Sequence, residues 1–207
     1  MTIRSCLLCF LALATSACAT MSEDECRTAD WRTIGYEDGA AGRSAAVLGT
    51  RREACAEHGV IPDLDAYRSG RDVGLREFCQ PHNGYNLGTR GNSYDGVCPA
   101  DLEAAFVAAY TRGQELYRYT SRVSQADSSI AAKQRELDAL EEDLRENEAL
   151  LVSSDATRDQ RAEALLAIKD YAQKKGRLES EIRQLEQDRA RYVSQLEAYR
   201  DQSEYGP

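Results

Sequence analysis

The chain has 207 residues, with 35 acidic against 26 basic side chains and a net charge of −9. That balance argues against phosphate backbones and anionic membranes as charge partners, because counterion release needs clustered Lys and Arg. Charged residues make up 29% and aromatics 7%, a composition that suits much exposed helix better than a large enzyme core.

Met1 to Arg4 is positively charged, and Ser5 to Ala14 (SCLLCFLALA) is an apolar run. Ten residues are too few to span a bilayer, which takes about 20, and they fit the apolar region of a secretion signal. Thr15-Ser16-Ala17-Cys18 resembles a bacterial lipobox with Thr in place of the usual Leu. Residues 1–17 are therefore read as a lipoprotein signal peptide and Cys18 as the lipid attachment site. Ala19 follows the cysteine where Asp would signal retention, so the expected location is the inner leaflet of the outer membrane, facing the periplasm. The rival is ordinary signal cleavage near Ala17 or Ala19 with a free secreted product. Residues 18–27 form a lipidated tether.

Residues 28–117 carry one phrase four times, a Tyr with a Gly three residues on: Tyr36 and Gly39, Tyr67 and Gly70, Tyr85 and Gly88, Tyr110 and Gly113. Each copy follows a cysteine, in the order Cys26, Cys55, Cys79, Cys98. Most of the 11 tyrosines lie between Tyr36 and Tyr119, so the core belongs there. Thr28 is expected to cap a helical stretch from Ala29 to Glu57, bent at Gly39 and Gly42. Asp63 caps a second helix from Leu64 to Phe78, and a third starts after Pro99. Glycine costs a helix interior about 1 kcal/mol relative to Ala. Its repeated use suggests close helix crossings, with the tyrosine beside the gap and its hydroxyl on a backbone carbonyl. The other reading is a ligand groove for glycan or peptide built from Trp31, Tyr36, Tyr67, Tyr85 and Tyr110.

Of the seven cysteines, Cys6 and Cys9 would leave with the signal and Cys18 would carry the lipid; the remaining four point to two disulfides in an exported chain, with three possible pairings. The segment QPHNGYNLGTRGNSYDGV between Cys79 and Cys98 shows no helical period. Closing so flexible a loop favours Cys79–Cys98, which leaves Cys26–Cys55. The alternative is zinc on Cys55-Ala-Glu-His58 and Cys79-Gln-Pro-His82, the two Cys-x-x-His pairs. Oxidation outside the cytoplasm competes with thiolate ligation, so no metal and no other cofactor is expected.

Asp30-Trp31, Gly35 to Gly39, Tyr67-Arg-Ser-Gly70, Cys79, Tyr85-Asn-Leu-Gly88, Gly91, Tyr94 and Cys98 resemble a family of small proteobacterial lipoproteins, YfiL-like, defined by a domain of unknown function. The resemblance covers roughly residues 28–117. It implies an envelope location and carries no catalytic residue.

From Leu116 onward apolar residues alternate by three and four through Leu151, and again from Ala164 to Tyr199, which is a heptad seam. Residues 118–203 read as an antiparallel coiled-coil hairpin, turning near Val152 with Ser154 or Asp155 capping the second arm. Tyr199 then falls opposite about Gly113. Lys133, Asn147, Lys175 and Arg189 interrupt the seam. The hairpin is either self-contained or also pairs with a second subunit or partner helix.

The expected fold is all-α, a disulfide-tied helical module followed by a long hairpin. No catalytic set is visible; a hydrolase using Glu37 or Asp38 is the remote alternative. The expected function is non-enzymatic: an outer-membrane lipoprotein acting as an envelope interaction or spacer module. Its partners would be the membrane, through the lipid, and an envelope protein or a second copy through the coiled coil. Nucleic acid is not expected. The alternative is a cell-wall glycan or peptide binding module.

Overall fold

A computed structural model describes residues 21–202; the expected signal peptide and the expected lipid attachment site Cys18 lie outside them. The described residues are helical, in seven elements: α1 (Glu23–Thr28), α2 (Trp31–Ala40), α3 (Ala46–Glu57), α4 (Leu64–Phe78), α5 (Pro81–Thr89), α6 (Ala100–Val152) and α7 (Arg158–Gln202). They divide into two compact units, residues 21–79 with 95–100, and residues 80–94 with 101–202.

In the first unit, α1 arises inside the stretch expected to be a tether. Ser22 and Glu25 form a reciprocal capping box, which satisfies two N–H groups that a helix start leaves open. Thr28 ends this helix instead of capping the next. The cap of α2 is Asp30, whose carboxylate accepts from the N–H groups of Arg32 and Thr33 at 3.0 and 3.3 Å. The bend expected at Gly42 is present, with φ at +65°. Asp63 caps α4 through the N–H groups of Asp65 and Ala66.

The packing of α2 on α4 is backbone against backbone. A Cβ at Gly70 would lie 1.9 Å from the Arg32 carbonyl oxygen, and one at Gly35 would lie 2.0 Å from that of Tyr67. The glycines are the surface by which these helices touch. Cys26 and Cys55 are bonded, joining α1 to α3, and Cys79 is bonded to Cys98. The Cys26–Cys55 bridge packs with Trp31 and Tyr67 in one buried cluster. Closing its loop, with a sequence separation of 29 residues, should contribute about 3–4 kcal/mol through the unfolded state. Thermal melts of the parent and of the Cys26→Ala, Cys55→Ala double variant should therefore differ by roughly 6–16 °C. Coincident melts would refute that role.

The second unit corrects the expectation of a structureless segment between Cys79 and Cys98. Residues 81–89 are helix α5, with Pro81 in its first turn, where proline's missing N–H costs nothing. Gly84, Tyr85 and Gly88 press α5 onto α6: a Cβ at Gly88 would lie 2.3 Å from the Tyr110 carbonyl oxygen, and one at Gly113 would lie 2.2 Å from that of Tyr85. The close crossing overrides the poor helix propensity of glycine.

The two units use the same pattern. Gly35-Tyr36-x-x-Gly39-x-x-Gly42 matches Gly84-Tyr85-x-x-Gly88-x-x-Gly91. On the opposing helices, Tyr67, Gly74 and Phe78 match Phe106, Gly113 and Tyr117. Gly42 and Gly91 both have positive φ and each lies under the ring of the matching aromatic, Phe78 or Tyr117. Arg71 donates to the Arg43 carbonyl at 2.8 Å, and Tyr110, at the matching position, donates to the Asn92 carbonyl at 2.9 Å.

Helix α6 runs unbroken for 53 residues, about 80 Å at 1.5 Å per residue. The last helix of the Tyr-x-x-Gly pattern and the first arm of the hairpin are therefore one helix. The cap of α7 is Thr157, not Ser154 or Asp155. Thr157 Oγ1 accepts from the Gln160 N–H at 3.2 Å, and Gln160 Oε1 accepts from the Thr157 N–H at 2.8 Å. Asp155 stays in the turn, its N–H donating to Ser153 Oγ. The seam buries Leu137, Leu140, Leu178 and Ile182 together. Three of its polar interruptions make ion pairs across the hairpin: Lys133 with Glu181 at 2.9 Å, Lys175 with Glu141 at 2.6 Å, and Arg189 with Asp127. Exposed pairs contribute about 0–1 kcal/mol each, so their main effect is on register. The Tyr199 hydroxyl donates to the Arg112 carbonyl at 2.7 Å, one residue from the expected level.

Candidate functional site

The first unit contains a carboxylate with no exposed surface. Asp38 is 0% exposed, on the inner side of α2. Its neighbour Gly39 brings α4 close enough for Tyr67 to reach it. The Tyr67 hydroxyl donates to Asp38 Oδ2 at 2.8 Å. Arg43, just past the Gly42 turn, donates to Oδ1 at 3.0 Å. Arg51 from α3 donates Nη2 to Oδ1 at 2.9 Å, and its Nη1 lies 2.8 Å from Oδ2. The side chain of Arg51 is 17% exposed and that of Arg43 is 54% exposed. One carboxylate thus ties α2 to the following turn, to α3 and to α4.

A buried charge is tolerated only when paired and hydrogen-bonded, and Asp38 has both. Its oxygens accept from two guanidiniums and a phenol. The remaining face of Arg51 borders a depression of about 370 Å³ with Met21, Ile34, Glu25 and Glu37. Burial, followed by the hydrogen bond to Asp38, pushes the Tyr67 phenol up to about 12, against about 10 in an unfolded chain. The protonated phenol is the form that the folded state favours. Stability from this group is complete below pH ~10 and is lost as pH rises through ~12. Tyr67→Phe should remove that alkaline limb and cost about 1–2 kcal/mol at pH 7. Urea titrations at pH 7 and pH 11 check both statements, and an unchanged pH slope would refute them.

The residues expected to line a groove are distributed as follows. Trp31 and Tyr67 are 7% and 1% exposed, packed around the Cys26–Cys55 bridge. Tyr36 is at the surface, its hydroxyl donating to Glu77 at 2.7 Å. Tyr85 and Tyr110 belong to the second unit. The Tyr110 hydroxyl accepts from Gln114 at 2.7 Å, and the Tyr94 ring stacks on those of Phe106 and Tyr110 at 4.9 and 5.9 Å. The sulfurs of Cys55 and Cys79, which a Cys₂His₂ zinc shell would need, are bonded to Cys26 and Cys98. Among the described residues no group of three or more His, Cys, Asp or Glu is arranged to hold a metal ion. None of the described helices is long and apolar enough to cross a membrane.

Sequence reasoning names Asp38 only as a remote catalytic candidate, and it misses Arg51. Gly42 signals a fold-back of α3 towards α2, but nothing in the sequence marks which arginine of α3 turns inward.

Searches of curated proteins and of solved structures each found no match. Residues 30–115, which hold all four Tyr-x-x-Gly phrases, match the model of the family described as "Protein of unknown function (DUF2799)".

Proposed function

We propose that this chain is a non-enzymatic lipoprotein of the outer membrane, facing the periplasm, in which a disulfide-stapled module near the lipid presents a long two-helix arm for interaction or spacing. The observation that carries this reading is the hairpin. Its second arm is 45 residues long, and little of it is needed to complete a core. An arm of roughly 70 Å suits reach or docking. The buried carboxylate of the module supports the same view, because its donors are used to hold helices together. The lipobox-like Thr15-Ser16-Ala17-Cys18 supplies the anchor, and two or three acyl chains would hold firmly at about 0.8 kcal/mol per buried CH₂.

Cys18→Ser should move the chain from the membrane pellet to the soluble periplasmic fraction, and mass spectrometry of the mature N-terminus should show acylated Cys18. An unacylated N-terminus at Ala19 or later would overturn the anchor. Cross-linking in intact cells tests the arm. Adducts should map to residues between 118 and 199, and adducts confined to residues 21–115 would overturn the interaction reading.

A further inference from the structure

The inference concerns the lipid layer that would carry Cys18, and it rests on the reading of this chain as a lipoprotein. The loop between α3 and α4 is Gly59-Val60-Ile61-Pro62. Gly59 has φ at +68°, its N–H donates to the Ala56 carbonyl at 3.0 Å, and the Val60 N–H donates to the Cys55 carbonyl at 2.9 Å. That pair of bonds is a Schellman motif, which closes a helix end on a left-handed glycine. Pro62 holds its own φ and keeps Ile61 extended. Val60 packs against the Cys26–Cys55 cluster, and Pro62 is buried. Neighbouring side chains of extended backbone point to opposite sides, so Ile61, between two that turn inward, turns out. It is 90% exposed, the most of any large hydrophobic side chain among the described residues.

The position of this loop argues for what covers it. Met21 packs on the same cluster as Val60, and its Sδ lies 4.0 Å from Cys55 Sγ. Cys55 is therefore a shared neighbour of Met21 and of the loop. Only three residue steps lead from Met21 back to Cys18, at most about 11 Å of chain. Acyl chains on Cys18 would enter the bilayer within a short reach of Ile61.

Charge decides which force acts. A depression of about 380 Å³ beside Ile61 has Gly49, Ala56, Val60 and Pro62 in its lining, with Arg52 and Glu53 of opposite sign. Near the loop in sequence, Glu57, Asp63 and Asp65 outnumber Arg68, which pairs with Asp65 at 3.7 Å. Such a surround gives no attraction to anionic lipid, so the contact is apolar and shallow, at the boundary of headgroups and acyl chains.

We infer that Ile61 inserts into the lipid layer beside the Cys18 anchor, so that the first unit is held on the membrane at two points and fixed in orientation there. The anchor makes the second contact intramolecular, so one side chain suffices where it could not bind a membrane alone.

The test uses the full acylated chain in phosphatidylcholine vesicles, with and without brominated acyl chains. Trp31, the one native tryptophan, is buried and gives a constant background. After subtraction of the parent, Ile61→Trp should be quenched by the brominated lipid at least threefold more than Val73→Trp. Val73 is 48% exposed and lies further along α4, about 14 Å from its start. Both substitutions are at exposed positions, so circular dichroism melts should stay within a few degrees of the parent. A chain that floats with the vesicles but is quenched equally at both positions would overturn the inference and leave the anchor standing. A chain with intact Cys18 that does not float would overturn the anchor and the inference with it. In intact cells, a photo-cross-linking residue at position 61 should capture phospholipid, and a protein adduct there would overturn the membrane as the occupant.

Discussion

Asp38→Asn should lower stability by about 3 kcal/mol, because it keeps the shape of the side chain but leaves Arg51 largely buried without its counter-charge. The figure is the low end for a broken buried pair, since Arg43 is 54% exposed and can turn to water. On a chain of this size that is a fall of roughly 6–12 °C in melting temperature. The second unit indicates how the site could be made neutral. Where the first unit has Asp38 and Tyr67, the matching positions hold Leu87 and Phe106. The crossing itself therefore does not require an ion pair. Asp38→Leu combined with Arg51→Met and Tyr67→Phe should recover most of the loss, to within about 1 kcal/mol of the parent. Calorimetry on the single and triple variants checks this. A single variant as stable as the parent would show that Asp38 does not tie α2 to α3 and α4.

Gly70→Leu should have the larger effect. The first atom of the new side chain would lie 1.9 Å from the Arg32 carbonyl oxygen and 3.0 Å from the Tyr36 nitrogen. These are backbone atoms of helix α2, so they cannot turn aside as a side-chain tip could. α2 and α4 would have to separate, and Tyr67 would lose its reach to Asp38. A loss above about 4 kcal/mol is expected, in the range reserved for core overpacking combined with a broken polar network. Gly49 is the control. It sits inside α3 with nothing within 4 Å of a built Cβ, so Gly49→Ala should raise stability by about 0.5–1 kcal/mol through helix propensity alone. Denaturant titrations of both variants should move in opposite directions. If both move the same way, the close crossing is not what holds the module.

Much of the architecture is legible in the residues alone. The three–four alternation through Leu137, Leu140, Leu178 and Ile182 identifies the hairpin, because a seam leaves a periodic signal. Asp63 and Gly42 mark a helix start and a bend by local chemistry that needs no tertiary information. Helix α5 escapes a sequence reading for a physical reason: Gly84, Gly88 and the surrounding asparagines lower helix propensity, and only contact with α6 offsets that. Helix α1 escapes it because it has only six residues and one capping box.

The sequence by itself determined the elements that rest on local rules. These are the helical period of the arms, the Asp63 cap, the spacing of Tyr and Gly, and the four cysteines Cys26, Cys55, Cys79 and Cys98. The tertiary structure decided which phrases face each other, that Asp38 is closed in by Arg43, Arg51 and Tyr67, and that α5 is a helix. Those outcomes depend on backbones approaching within contact distance and on a desolvated charge finding its donors. Both are energies between residues far apart in the chain, which no local pattern records.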